Sequence, residues 1–252
     1  MSKILILLYS VLCYLIFFVT FLYLIAFVEN YPALQEFGFY NTIDSPVVSQ
    51  SLGMAIAINL GLIALFGVQH SVMARKGFKR WWTKIVPPAA ERSTFVLLTS
   101  AILILTFWQW RPIPDTVWAI QNDMLALAMV SLSMIGWLVV FVSTFLLGHF
   151  ELFGLAQGWA NMQGRVIKAP SMREPMFYKY MRHPLYFGFL LAFWAAPIMT
   201  LGHLIFALGY TVYILIAIRY EEKDLTEVFG AQYVEYKRRV SMLIPMPPKG
   251  HG

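Results

Sequence analysis

Tyr180, Arg182, His183, Pro184 and Tyr186 fall within seven residues of one another. They place a strong cation, a titratable imidazole and two phenols at the edge of an apolar run. Pro184 disfavours the α region for His183, so the chain there is irregular or just entering a helix. Polar groups beside the free donors of a helix start suit an anionic or zwitterionic ligand. A second cluster, Arg219-Tyr220-Glu221-Glu222, closes the final apolar run. Two adjacent carboxylates repel unless cations or donors offset them, and Arg219 and Lys223 are placed to do so. If the two apolar runs form a hairpin, their polar ends lie side by side, and His183, Tyr186, Glu221 and Glu222 converge on one pocket. An arginine, a histidine, a tyrosine and two glutamates suit a ligand with a carboxylate, an amine, a diol and a sulfonium.

Each cluster also has a plainer reading. A basic flank with an interfacial tyrosine is common in membrane proteins, and polar helix ends are ordinary. His70, in Gln69-His70-Ser71, reads first as a hydrogen-bonded interfacial histidine, yet ionisable residues at membrane depth usually face a cavity. His149 and Glu151 flank Phe150 and so point to different faces of a helix. Of the two, Glu151 is the better candidate, because a buried carboxylate is costly without a task or a partner. Gln157 follows in the stretch Gly154 to Gly164, read as a loop over the site. Arg75-Lys76-Gly77-Phe78-Lys79-Arg80-Trp81-Trp82 is a lipid-facing basic and aromatic run.

The elements that carry these residues are hydrophobic helices. Hydrophobic residues make up 59% of the 252 and charged residues 13%, about half the charge of a soluble domain, ~25%. Apolar runs lie at about 4–28, 47–70, 93–110, 124–149, 185–200 and 204–220. The expected fold is all-α: a polytopic transmembrane helical bundle of six hydrophobic helices, five to six of them spanning, the last two a helical hairpin, with cytosolic C-terminal helices. Residues 1–252 read as a single membrane domain, in which 1–110 is mainly scaffold and 124–240 holds the chemistry. The first run is longer than the ~7–15 residues of a secretory h-region, so it reads as a retained span.

With the N-terminus inside, 18 of the 19 basic residues face the cytosol and only Arg111 lies outside. The positive-inside rule selects that topology, with both termini cytosolic. The net charge of +6 is spread over loops and implies no nucleic acid. A lone cysteine, Cys13, permits no intrachain disulfide. Without a His-x-x-x-His or cysteine cluster no metal is expected, and oligomeric state is left open.

The segment from Arg182-His183-Pro184-Leu185-Tyr186 through Glu221-Glu222 to Phe229-Gly230-Ala231-Gln232-Tyr233-Val234-Glu235-Tyr236 resembles the C-terminal cofactor region of the isoprenylcysteine carboxyl methyltransferase superfamily. Gly148-His149-Phe150-Glu151-Leu152-Phe153-Gly154-Leu155-Ala156-Gln157, Gln69-His70-Ser71-Val72-Met73-Ala74-Arg75 and Glu91-Arg92-Ser93 resemble the bacterial methanethiol S-methyltransferases. The resemblance implies an enzyme of the bacterial inner membrane that methylates a small thiol, methanethiol to dimethyl sulfide. S-adenosyl-L-methionine would be the donor and S-adenosyl-L-homocysteine the by-product. It implies a cofactor site at Gln157, Tyr180, Arg182, His183, Pro184, Tyr186, Arg219, Glu221 and Glu222. Catalytic candidates are His70, Glu151, Arg182 and His183. Two alternatives stay open: the same cofactor with a lipid, isoprenoid thiol or other acceptor, and a haem- or quinone-binding protein ligated by histidines.

Overall fold

The computed structural model describes residues 2–31, 36–38, 40–47, 49–167 and 171–248. Lys168 and Lys249, counted among the cytosolic cations, lie outside them. Over the described residues the protein is all-α but for one short strand pair. Five helices among them are long and apolar enough to cross a membrane: α1 (Lys3–Val28), α2 (Leu52–Ala74), α4 (Pro88–Gln109), α5 (Asp123–Leu147) and α9 (Leu201–Phe229). Each exceeds the roughly 20 residues needed to cross the hydrocarbon core. Shorter helices are α3 (Lys76–Trp82), α6 (His149–Leu152), α7 (Leu155–Gln163), α8 (Pro184–Trp194) and α10 (Ala231–Arg239). The chain is thus a multi-pass membrane protein.

Local chemistry starts the long helices. Ser2, Ser51 and Asn122 cap α1, α2 and α5 by accepting from Leu5, Met54 and Leu125 backbone N–H groups. Pro88 opens α4, where its missing N–H costs nothing. Outward faces are apolar, as with Leu5, Leu8, Leu12 and Leu15 of α1, which fits a lipid surrounding.

Five of the five to six expected spans form, and two other expectations change here. The fifth apolar run, 185–200, is the one that does not span: α8 has 11 residues, about 16 Å at 1.5 Å per residue. The residues after it form β2 (Ile198–Thr200), antiparallel to β1 (Thr116–Ala119). Helix α9 does not stop at Glu221-Glu222 but runs on to Phe229. The stretch 154–164 is a helix rather than a loop. Gly154 and Gly164 bound α7 with φ of 91° and 67°, conformations that glycine adopts without strain. Gly158 lies so close to α1 that a Cβ there would meet Ser10 Oγ at 2.6 Å.

The chain groups into two compact units. One holds residues 1–119, 149–168 and 198–206; the other holds 120–148, 169–197 and 207–252. In the first, α1 packs on α4 and α7, and α2 on α4. Met73, Phe95 and Val96 form a core there, with Phe17, Phe78, Trp82 and Phe153 against it. Thr200 donates to Asp44 at 2.6 Å and Trp110 donates to the Ile43 carbonyl at 3.1 Å, which fastens the loop after α1. In the second unit, α5 and α8 meet backbone to backbone. A Cβ on Gly136 or on Gly188 would lie 2.7 Å from main-chain atoms of the other helix, and Ser133 donates to the Ala192 carbonyl at 3.0 Å. Small residues of this kind let membrane helices approach closely.

Candidate active site

His183 is the N-cap of α8, with φ −127° and ψ 61°, outside the α region as the following proline requires. Its backbone N–H donates to the Met242 carbonyl at 3.1 Å, and that of Arg182 to Ser241 at 2.9 Å. The segment ahead of α8 is therefore bound along the segment that follows α10. Its imidazole is almost fully enclosed and donates from Nε2 to Glu222 Oε1 at 3.2 Å. An ionised carboxylate only accepts, so the proton sits on Nε2. Nδ1 lies 3.9 Å from Glu221 Oε2. Tyr186 stands in the first turn of α8, 5.7 Å from the imidazole between ring centroids. His183, Tyr186, Glu221 and Glu222 do come together.

The carboxylates divide the work. Neighbours on a helix point about 100° apart, so one glutamate faces inward and the other does not. Glu222 is 9% exposed. It takes Arg182 Nε at 2.7 Å and His183 on Oε1, and Lys237 Nζ at 3.1 Å on Oε2. Arg182 also donates to the carbonyls of Lys237 and Val240 at the end of α10. The cations that offset Glu222 are thus Arg182 and Lys237 rather than Arg219 and Lys223. Tertiary contact with α10 brings them in, and helix spacing gives no hint of it. Glu221, with its side chain 43% exposed, is left to face outward.

Three tyrosines that carried no site role in the sequence complete this neighbourhood. Tyr233 and Tyr236 of α10 are buried with Val240, and Tyr236 donates to the Tyr178 carbonyl at 2.7 Å. Burial first, then the nearby Glu221 carboxylate, holds the Tyr178 phenol above its ordinary range. Tyr233 is raised likewise by burial, with Glu222 and Glu221 adding to it. Both stay neutral O–H groups. Tyr233 is 3% exposed, and its hydroxyl has no hydrogen-bond partner among the described residues. The Gly-x-x-Tyr-x-x-Tyr spacing flagged the two α10 tyrosines; nothing flagged Lys237.

Other candidates of this unit make none of the side-chain contacts to His183. Arg219 lines an open cleft of about 500 Å³ with Glu222, Lys223, Thr226, Glu227 and Lys237; His183, Tyr186 and Glu221 do not line it. Tyr180 is exposed; its backbone N–H donates to the Phe177 carbonyl at 2.9 Å, and its carbonyl accepts from Met246 and Ser241. Pro184 is buried at the first position of α8.

His70, Glu151 and Gln157 belong to the first unit. The His70 ring stacks on Phe66 at 5.3 Å and meets Phe95 at 4.8 Å. Its Nδ1 is 3.4 Å from Thr99 Oγ1. Glu151 is exposed, so the burial that favoured it over its neighbour is absent. His149 is the enclosed one, 6% exposed and joined to Tyr14 at 2.8 Å, because α6 turns that face toward α1. Burial pushes its imidazole below 6.5. Gln157 donates to the Glu151 carbonyl at 3.0 Å, while its own Oε1 is buried with no partner among the described residues. Those residues contain no group of three or more histidines, cysteines or carboxylates placed to hold a metal.

No family model matches the chain, and no solved structure does. Relatives do. Methanethiol S-methyltransferase 2 of Bradyrhizobium diazoefficiens is 50% identical over 244 residues, 97% of this chain and 91% of its own. The methanethiol S-methyltransferase of Mycobacterium tuberculosis is 44% identical over 247 residues, 98% of each chain. More distantly, Nurim of Sus scrofa is 30% identical over 184 residues, 70% of each. Identity at that level across nearly the whole length leaves one conclusion: the chain belongs to the methanethiol S-methyltransferase family of enzymes, within the wider isoprenylcysteine carboxyl methyltransferase superfamily.

Proposed function

We propose that the protein methylates a small thiol, methanethiol first, giving dimethyl sulfide, with S-adenosylmethionine as donor. The observation that carries the donor is the enclosed His183, held between Glu222 at 3.2 Å and Glu221 at 3.9 Å beside Tyr186. The acceptor follows from the relatives' names.

The residues present fit that donor. Tyr233 keeps a buried hydroxyl with no partner among the described residues, which is costly unless a ligand satisfies it. Glu221 offers a carboxylate to an amine, a diol or a sulfonium. The rings of Tyr178, Tyr186 and Tyr233 present π faces to a cation, an attraction of about 0.5–2 kcal/mol each. His183, Tyr186, Glu221 and Tyr233 would hold the cofactor. When bound, S-adenosylmethionine supplies an electrophilic methyl group. Arg182 and Glu222 act behind these residues: bonded to each other and to the end of α10, they set the imidazole's position and keep its proton on Nε2.

Thiolate, not thiol, is the nucleophile, and simple alkyl thiols titrate above the ~8.5 of cysteine. His70 is the base for that proton: the S–H bond breaks and an N–H bond forms on the imidazole. Thr99 donates to the Phe95 carbonyl at 2.9 Å, so its oxygen accepts from His70 Nδ1 and the lone pair stays on Nε2. Methyl transfer is direct and in line, with no covalent enzyme intermediate, and aligning the reactants supplies much of the acceleration. Glu151 is the weaker base, because its carboxylate is exposed and well solvated.

The protein sits in the bacterial inner membrane with both termini cytosolic. Methanethiol enters from the bilayer and the cofactor from the cytosol. Purified protein given S-adenosylmethionine and methanethiol should release dimethyl sulfide, read by gas chromatography. His183→Ala should abolish cofactor binding by calorimetry; unchanged binding would sink the assignment.

A further inference from the structure

Arg92 lies in the second turn of α4, partly buried, in a helix that is apolar from there onward. Its Nε donates to the Leu152 carbonyl at 2.6 Å. Its guanidinium carbon lies 5.0 Å from the centre of the Phe95 ring, on the same ring that packs against His70. Guanidinium carries five N–H donors. Among the described residues its terminal nitrogens donate to nothing and form no ion pair within 4 Å. The two carboxylates that act on it do so from farther off. Glu91 is engaged with Lys79 at 4.0 Å, and Glu151 is exposed.

Arg92 stands at the cytosolic edge of the apolar run, and a cation partly enclosed there is costly unless it faces a partner or a ligand. The surroundings here are aromatic and sulfur-rich: Phe66 and Phe95 flank His70, and Met73 packs on Phe95 and accepts from Gln69 at 3.1 Å. Guanidinium is weakly hydrated and pairs well with weakly hydrated anions. The matching ligand is a small, soft monoanion with an apolar end.

We infer that the terminal nitrogens of Arg92 bind the acceptor in its thiolate form, with the apolar substituent against Phe66, Phe95 and Met73. This inference rests on the reading of the acceptor as a small thiol. Arg182 spends its Nε and one terminal nitrogen on Glu222 and two carbonyls, which ties it to α10 and not to the imidazole of His70. Arg92 acts by lowering the energy of the thiolate beside the imidazole that takes its proton.

Thiocyanate, a small soft anion, probes the site without turnover. In detergent-solubilised full-length protein it should bind saturably by calorimetry. Arg92→Gln should weaken that binding by about tenfold or more, and Arg92→Lys, which keeps the charge, by less. S-adenosylmethionine binding, unchanged in both variants, reports that they are folded. In turnover, thiocyanate should compete with methanethiol and not with the cofactor, and Arg92→Gln should raise KM for the thiol more than it lowers kcat. Equal loss in the Gln and Lys variants would mean that Arg92 only ties α4 to Leu152. That outcome, no saturable thiocyanate binding by the wild type, or competition with the cofactor alone overturns the inference. Thiocyanate binding without any methylation of methanethiol would instead overturn the reading of the reaction and leave the anion site standing.

Discussion

Tyr233 separates a ligand-binding role from a structural one. A buried hydroxyl with no partner lowers stability by about 1–3 kcal/mol, so Tyr233→Phe should leave the melting temperature unchanged or raise it. If the hydroxyl meets the cofactor, the same change weakens S-adenosylmethionine by about tenfold; calorimetry alongside a thermal melt reads both. His149 makes a pH prediction. Burial holds its folded-state value below 6.5, whereas the unfolded chain takes up protons near 6.5. Its contribution to stability is therefore complete above about 6.5 and is lost as pH falls through the lowered folded value. Melts between pH 7 and pH 5 should show that loss, and His149→Gln should flatten the slope. At this scale the residue types were readable in the chain, while their assignments were not. His183, Tyr186 and the glutamate pair stood out as chemistry. That Glu222 is taken up by Arg182 and Lys237, and that His149 rather than Glu151 is enclosed, depends on which helix lies opposite.

Among elements, α8 is the one that decides the site. It has 11 residues, too few to cross a bilayer, and its packing against α5 fixes where His183 and Tyr186 stand. Gly188 leaves no room for a side chain against Gly136 and Val140. Gly188→Ala should cost roughly 1–3 kcal/mol through overpacking, seen as a lower unfolding midpoint in detergent, and should reduce cofactor binding by displacing the start of α8. Hydropathy located the long helices to within about five residues, except for the polar C-terminal turns of α9, which runs on to Phe229. It missed the end of α8, because an apolar run continues past it into a strand, and it missed α7, where glycines that suggest a loop are the helix's two caps.

For the whole molecule, charge placement carries the topology. Eighteen of 19 basic residues fall on one side of the assigned spans, so both termini should be cytosolic. Single cysteines introduced at Asp115 and at Arg238, in a background with Cys13 replaced by serine, test this in intact cells. An impermeant maleimide should label the first and not the second; the reverse pattern would invert the topology.

Composition and periodicity by themselves determined that this is an all-α membrane protein. Spacing singled out Arg182, His183, Tyr186, Glu221 and Glu222 as candidates for one ligand site, because those signals are local: hydropathy per turn, charge per loop, a proline after a histidine. The tertiary structure decided which polar groups are already satisfied and which are left over. Among the described residues Arg182 is tied to Glu222 and two carbonyls, whereas the Tyr233 hydroxyl and the terminal nitrogens of Arg92 have no partner. Hydrogen-bond satisfaction is a property of groups far apart in the chain, 40 residues for Arg182 and Glu222 and 60 for Arg92 and Leu152, and no local pattern encodes it.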